Sequence, residues 1–188
     1  MDFLNRADRL RQEAGLILQE IKLNEILVPY GTMNFTGSYY LDLMAYPDID
    51  VEVSQMTTGQ IFSVLSQFFE HPWLDQVEFE KPNEPRLPGS LYFKLRIVHG
   101  DWGRPWKIDI WSLSPSQLAS GRGEMQRIKN LITPGKREII LRYKAARLNA
   151  QGRTPPGSGW WIYKAVLEKG LEDPLEIDAY LIANGIKI

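Results

Sequence analysis

The chain has 188 residues, 44% hydrophobic and 24% charged, with a net charge of −1 at pH 7. That profile belongs to a globular domain with room for a real core, since a chain of about 150 residues or more buries about 70% of its unfolded surface. The absence of cysteine excludes disulfide scaffolds, thiolate zinc sites and cysteine nucleophiles, and a net charge so close to zero argues against general nucleic-acid coating.

The first twenty residues stay charged and lack the apolar stretch of a secretory signal. No run approaches the ~18 apolar residues that a membrane-spanning helix requires, so no membrane association is expected and the expected compartment is the cytoplasm. From Asn5 to about Lys22, Leu10, Ala14, Ile17, Leu18 and Ile21 recur at helical spacing, which predicts an amphipathic helix covering a sheet face. Ile26 to Thr36 is rich in β-branched and aromatic residues interrupted by Pro29 and Gly31, predicting extended structure with a kink that Gly37-Ser38 ends.

Asp48 to Ser54 alternates as a strand, with Asp48, Asp50 and Glu52 on one face and Ile49, Val51 and Val53 on the other. A helix is predicted over 58–69 with Thr57 or Thr58 as N-cap, then a short strand over 77–80. The runs 91–98 and 106–113 read as an antiparallel hairpin joined by a turn-rich connection. Two helices follow over 114–131 and 134–148, the second capped by Thr133 with Pro134 in its first turn.

After the Pro/Gly-rich stretch 152–159, short helices are expected over 160–168 and 173–184. The pattern predicts an α+β or α/β domain, a mixed sheet flanked by helices, with a helical C-terminal portion. Residues 1–150 are read as the principal domain including its N-terminal helix, and 151–188 as a short helical extension packed on it.

Charge is unevenly placed. Residues 1–120 carry 10 Lys/Arg against 16 Asp/Glu, whereas residues 121–150 carry 8 against 2. An acidic front half followed by a basic stretch suits a site where carboxylates hold metal and cations meet phosphate; a solvated helix face accounts for the basic stretch equally well.

Three features converge: Gly37-Ser38, then nine residues on Asp48-Ile-Asp50, then Asp109 within the hydrophobic run Lys-Ile-Asp-Ile-Trp. Carboxylates two residues apart on a strand project from one face about 6.5–7 Å apart, close enough to converge on one ion or a pair. A half-buried Asp109 needs a cation, and a divalent metal supplies one. Mg²⁺ takes oxygen ligands, commonly one or two carboxylates together with phosphate oxygens. Gly37 permits close approach of a phosphate, and the Ser38 hydroxyl can donate to it. The P-loop and dinucleotide-binding patterns are absent.

The Gly-Ser, nine-residue spacer, Asp-x-Asp pattern, with a third strand-borne Asp, resembles the polymerase β-type nucleotidyltransferase superfamily over roughly residues 26–113. The resemblance implies a short mixed sheet flanked by helices, Mg²⁺ or Mn²⁺ held by Asp48, Asp50 and Asp109, and a triphosphate held at Gly37 and Ser38. It implies transfer of a nucleoside monophosphate from an NTP, ATP foremost, to a hydroxyl-bearing small molecule or protein, with pyrophosphate released and Asp109 helping to activate the hydroxyl. Tyr39-Tyr40 stands where minimal members often carry a small residue and an arginine, so Arg142 and Lys144 are the substitute phosphate contacts. Nucleic acid is not the expected acceptor.

Blander accounts compete at each position. Asp48, Asp50 and Glu52 can form the wet stripe of a half-buried strand, Asp109 can pair with Lys107 or Arg104, and Gly37-Ser38 can be a plain turn. Trp102, Trp106, Trp111, Trp160 and Trp161 are expected in core packing before nucleobase stacking, and His71 and His99 have no partner at metal-ligand spacing. The rival function is a catalytically weak nucleotide-binding or protein-partner module on the same fold.

Overall fold

The computed structural model describes residues 2–188. Helix α1 (Phe3–Glu20) buries Ala7, Leu10, Ala14 and Ile17 along one stripe. The following segment departs from the predicted extended run: α2 (Leu23–Leu27) and a 3₁₀ turn (Val28–Tyr30) occupy it. Leu23 and Leu27 lie four residues apart and are both fully buried, so helical burial prevails over local β preference. Strand β1 is therefore confined to Met33–Thr36. Gly37 does not simply end it, because its φ of +59° turns the chain directly into the short helix α3 (Gly37–Leu41).

Strand β2 (Asp48–Ser54) leads into α4 (Thr58–Ser66), which Thr57 starts with a reciprocal cap to Gln60. Strand β3 (Leu74–Glu80) is longer than predicted, a β-bulge between Leu74 and Gln76 absorbing the break in its alternation. Strands β4 (Leu91–Ile97) and β5 (Trp106–Leu113) form the expected antiparallel hairpin. Helices α5 (Pro115–Leu131) and α6 (Pro134–Ala146) are capped by Ser114 and Thr133, each with proline in its first turn. Helix α7 (Ser158–Tyr163) runs into a π-helical turn (Lys164–Glu168), and α8 (Pro174–Ala183) is capped by Asp173. Among the described residues no helix is long and apolar enough to cross a membrane.

The five strands form one mixed sheet in the order β1-β2-β5-β4-β3, with β2 and β5 parallel and the other pairs antiparallel. Its apolar face carries Ile49, Val51, Val53, Phe93, Leu95, Ile108 and Ile110, and packs beneath α1 and α4. A second core joins Leu41 and Leu43 to residues of α5, α6, α7, the π turn and α8. Those helices stand over the other sheet face, which is polar, and the cleft between them holds the site.

Candidate active site

The parallel pairing of β2 with β5 is what assembles the site. Asp50 lies directly opposite Asp109 and Asp48 opposite Lys107, while Thr36 of β1 lies opposite Asp50. All project to the polar face, because side chains two residues apart on a strand share a face. Asp109, about sixty residues on in the chain, therefore joins Asp48 and Asp50 beside the Gly37-Ser38 turn. Asp48 and Asp109 are each only 8% exposed.

Lys107 stands between two of them. Its ammonium donates to Asp109 Oδ2 at 2.5 Å and lies 3.1 Å from Asp48 Oδ1. Burial opposes its charge, but Asp48 and Asp109 outweigh that and raise its pKa. The Tyr92 hydroxyl donates to the remaining oxygen, Asp109 Oδ1, at 2.7 Å. Asp109 is thus held by two donors, and pairing with Lys107, which the sequence left open, coexists with membership of the cluster. Among the described residues no three acidic or histidine side chains are already arranged around one point as an ion would need.

The donor set nevertheless fits a divalent cation at Asp48 and Asp50. Burial, then the neighbouring charges of Asp48 and Asp109, pushes the Asp50 carboxyl well above its usual value, with no hydrogen bond to relieve it. Asp48 is also raised, first by burial, and its buried Oδ1 makes no hydrogen bond of acceptable geometry. A buried Asp48, paired only with Lys107, and a half-buried Asp50 with no hydrogen bond offer only oxygen and match a hard cation that takes one or two protein carboxylates.

Gly37 abuts this pair. A Cβ there would stand 2.0 Å from Asp50 Oδ2, and the positive φ disfavours side chains in any case, so both space and backbone require glycine. Ser38 follows in the same wall of a cleft of about 280 Å³ that also takes in Asp48, Asp50, Glu52 and Lys144. Lys144, 2% exposed, reaches in from α6 and donates to the Leu43 carbonyl at 2.6 Å. Burial lowers its pKa to about 8, against the pull of Asp48 and Asp50. Arg142, grouped with it on the sequence, is exposed on α6 and does not line the cleft. Two residues along a helix point about 200° apart, so only one of them could face inward.

Several cleft residues were not read as site residues from the sequence. Glu52 extends the acidic stripe, but Gly121 of α5 approaches so closely that a Cβ there would lie 2.8 Å from Glu52 Oε2. Burial raises the Glu52 carboxyl to about 7, and its Oε2 has no hydrogen-bond partner. Tyr46, Trp111, Trp160 and Tyr163 supply aromatic walls. Trp106, in contrast, is wholly buried in the core, and Trp102 lies beneath the guanidinium groups of Arg6 and Arg9.

Among solved structures, the chain superposes on Cid1, described for its RNA terminal uridylyl transferase activity, with a TM-score of 0.50 and 16% identity over 74% of this chain. The two chains share a fold. A cytoplasmic RNA terminal U-transferase aligns over 77% of the chain at 14% identity with a TM-score of 0.49. Cid1 in complex with the UTP analog UMPNPP aligns over 74% at 14% identity with a TM-score of 0.48. This chain spans 46%, 41% and 42% of the U-transferase, the first Cid1 structure and the UMPNPP complex, so less than half of each. No family model and no curated protein sequence matches it.

Proposed function

We propose that the chain transfers a nucleoside monophosphate from an NTP to a hydroxyl acceptor and releases pyrophosphate. The observation that carries this reading is the register that sets Asp50 abreast of Asp109 on the polar face, beside a glycine that can only be glycine. Asp48 and Asp50 are the residues to hold a divalent cation, Mg²⁺ or Mn²⁺. When bound, such an ion neutralises phosphate charge and lowers the barrier to displacement at phosphorus.

Gly37 and Ser38 bind the triphosphate through close backbone approach and the Ser38 hydroxyl, with Lys144 behind them. Trp160, Tyr163, Trp111 and Tyr46 offer faces for the base. Asp109, oriented by Tyr92 and Lys107, accepts the proton of the acceptor hydroxyl. The acceptor oxygen bonds to the α-phosphorus while the bond from that phosphorus to the bridging oxygen breaks, and pyrophosphate leaves with the electron pair. Positioning and electrostatics carry the chemistry without a covalent enzyme intermediate.

The test is titration of the purified protein with Mg²⁺ or Mn²⁺ and each NTP, following nucleotide binding and pyrophosphate release across a panel of hydroxyl acceptors. Saturable metal-dependent NTP binding with pyrophosphate release is expected; absence of nucleotide binding with either metal overturns the reading. The Lys107 bridge favours a second reading, a nucleotide-binding module of low activity, because an internal cation already neutralises two of the three aspartates. That reading predicts NTP binding with no pyrophosphate released to any acceptor.

A further inference from the structure

Arg96, Arg104 and Arg153 gather around one cavity of about 380 Å³, from the end of β4, the turn before β5 and the loop before α7. Among the described residues none of the three forms an ion pair, whereas Arg9, Arg127, Arg137 and Arg147 each hold a carboxylate. Arg104 donates only to the Gln151 carbonyl, at 3.2 Å. Burial, and then the like charges of Arg96 and Arg153 against the pull of Asp48, lower its pKa. Three guanidinium groups around a cavity whose lining holds no carboxylate form a site for an anion, and their planar forks match phosphate oxygens.

The cavity leads to the carboxylates. A neighbouring one is lined by Arg104, Arg153 and Lys107, and also by Tyr46, Asp48 and Gly159, which line the cleft itself. Arg96 pairs in register with Lys107, one strand spacing of about 4.8 Å and two residues from Asp109. Across the sheet the order is the Gly37 turn on β1, the aspartates on β2 and β5, then the arginines beyond. The triphosphate side and the arginine side thus flank Asp109 from opposite directions.

Resting on the nucleotidyl-transfer reading, we infer that Arg96, Arg104 and Arg153 hold a phosphate group of the acceptor, which makes the acceptor a phosphate-bearing alcohol. The phosphate is either the terminal phosphodiester of an oligonucleotide or the phosphomonoester of a small phosphorylated alcohol. A net charge near zero does not oppose this, because the positive charge is local.

The experiment titrates a labelled single-stranded oligoribonucleotide and, separately, ribose 5-phosphate against the wild type and the variants Arg96→Ala, Arg104→Ala and Arg153→Ala. Mg²⁺-dependent NTP binding is measured on the same samples. One of the two probes binds, each variant weakens it about tenfold, and NTP affinity is unchanged. If the oligonucleotide is the ligand, the salt dependence of its binding also falls by about 0.7 in slope per arginine removed. Equal affinity of wild type and variants, or failure of both probes to bind the wild type, overturns the inference. A parallel loss of NTP affinity in the variants overturns it too, assigning the arginines to the donor. Probe binding without NTP binding in the wild type sinks the transfer reading alone. Arg153 is exposed on a loop, so its variant reports even where the half-buried Arg104 proves necessary for folding.

Discussion

Replacing Gly37 by alanine tests the site at its tightest point. The new Cβ would sit 2.0 Å from Asp50 Oδ2 and 2.9 Å from its Cγ, at a φ of +59°. Holding a non-glycine residue in that left-handed conformation costs about 1–2 kcal/mol. Driving Asp50 off its rotamer to relieve the overlap adds about 0.5–1.5 kcal/mol. The sum, about 1.5–3.5 kcal/mol, lowers the melting temperature by roughly 3–14 °C in a domain of this size. Because Asp50 is the group that moves, Mg²⁺-dependent NTP binding should weaken at least about tenfold. Gly15→Ala is the control: its Cβ meets nothing within 4 Å and it lies inside α1, so the exchange should stabilise by up to about 1 kcal/mol. Calorimetric melting and titration calorimetry read both effects. A Gly37→Ala protein that melts with the Gly15 variant and binds NTP as the wild type does refutes the close-approach account.

Asp50→Asn removes a half-buried carboxylate whose charge is disfavoured by burial, Asp48 and Asp109 more than Lys107 and Lys144 favour it, so without metal it should raise stability, while metal-dependent NTP binding is lost; denaturant unfolding showing a less stable apo protein goes against this. Glu52 titrates in the folded chain at about 7, above its ordinary 4.5. The folded state therefore binds the proton more tightly, and the stability it contributes below pH 4.5 is lost as pH rises toward 7. Glu52→Gln should make that fall shallower, leaving the share of Asp48 and Asp50, and an unchanged profile counts against the burial of Glu52. Lys144 acts in the opposite sense: its folded pKa of about 8 lies below 10.5, so the unfolded chain binds more protons in between and stability rises with pH across that window, by about 3 kcal/mol. Lys144→Met should abolish the rise, as urea midpoints between pH 8 and 10 would record. Lys107, Tyr46, Tyr92, Tyr143 and Tyr163, whose folded pKa values are raised, lose stability only above about pH 10 and leave that range clear.

Much of the site was legible in the primary structure because strand alternation is strictly periodic. Asp48, Asp50 and Glu52 fall on one face by counting, and Asp109 stands out as a carboxylate in an apolar run. The same count puts Lys107 beside Asp109, a signal sufficient to anticipate their pairing. What no local pattern reveals is the parallel register of β2 with β5, since it depends on a crossover through α4, β3 and β4. Without that register the partner of Asp50 is unknown. The burial of Glu52 was hidden for a related reason, being set by Gly121 on a helix 69 positions later. Residues 26–30 misled because β-branched side chains favour strands, whereas the burial of Leu23 and Leu27 decides in favour of helix. Arg142 and Lys144 look alike in sequence; the angle between them around α6 sends one to solvent and the other into the cleft. The arginine cluster draws on three segments and leaves no mark in any one of them.

The bond from Lys144 to the Leu43 carbonyl has an evolutionary consequence. Its acceptor is main chain, so substitutions at position 43 leave the latch intact provided they fill the same space. Its donor must be a long cationic side chain, and no shorter residue spans the gap. Variation among descendants of this sequence should therefore be lopsided, with hydrophobic exchange accepted at 43 and position 144 fixed.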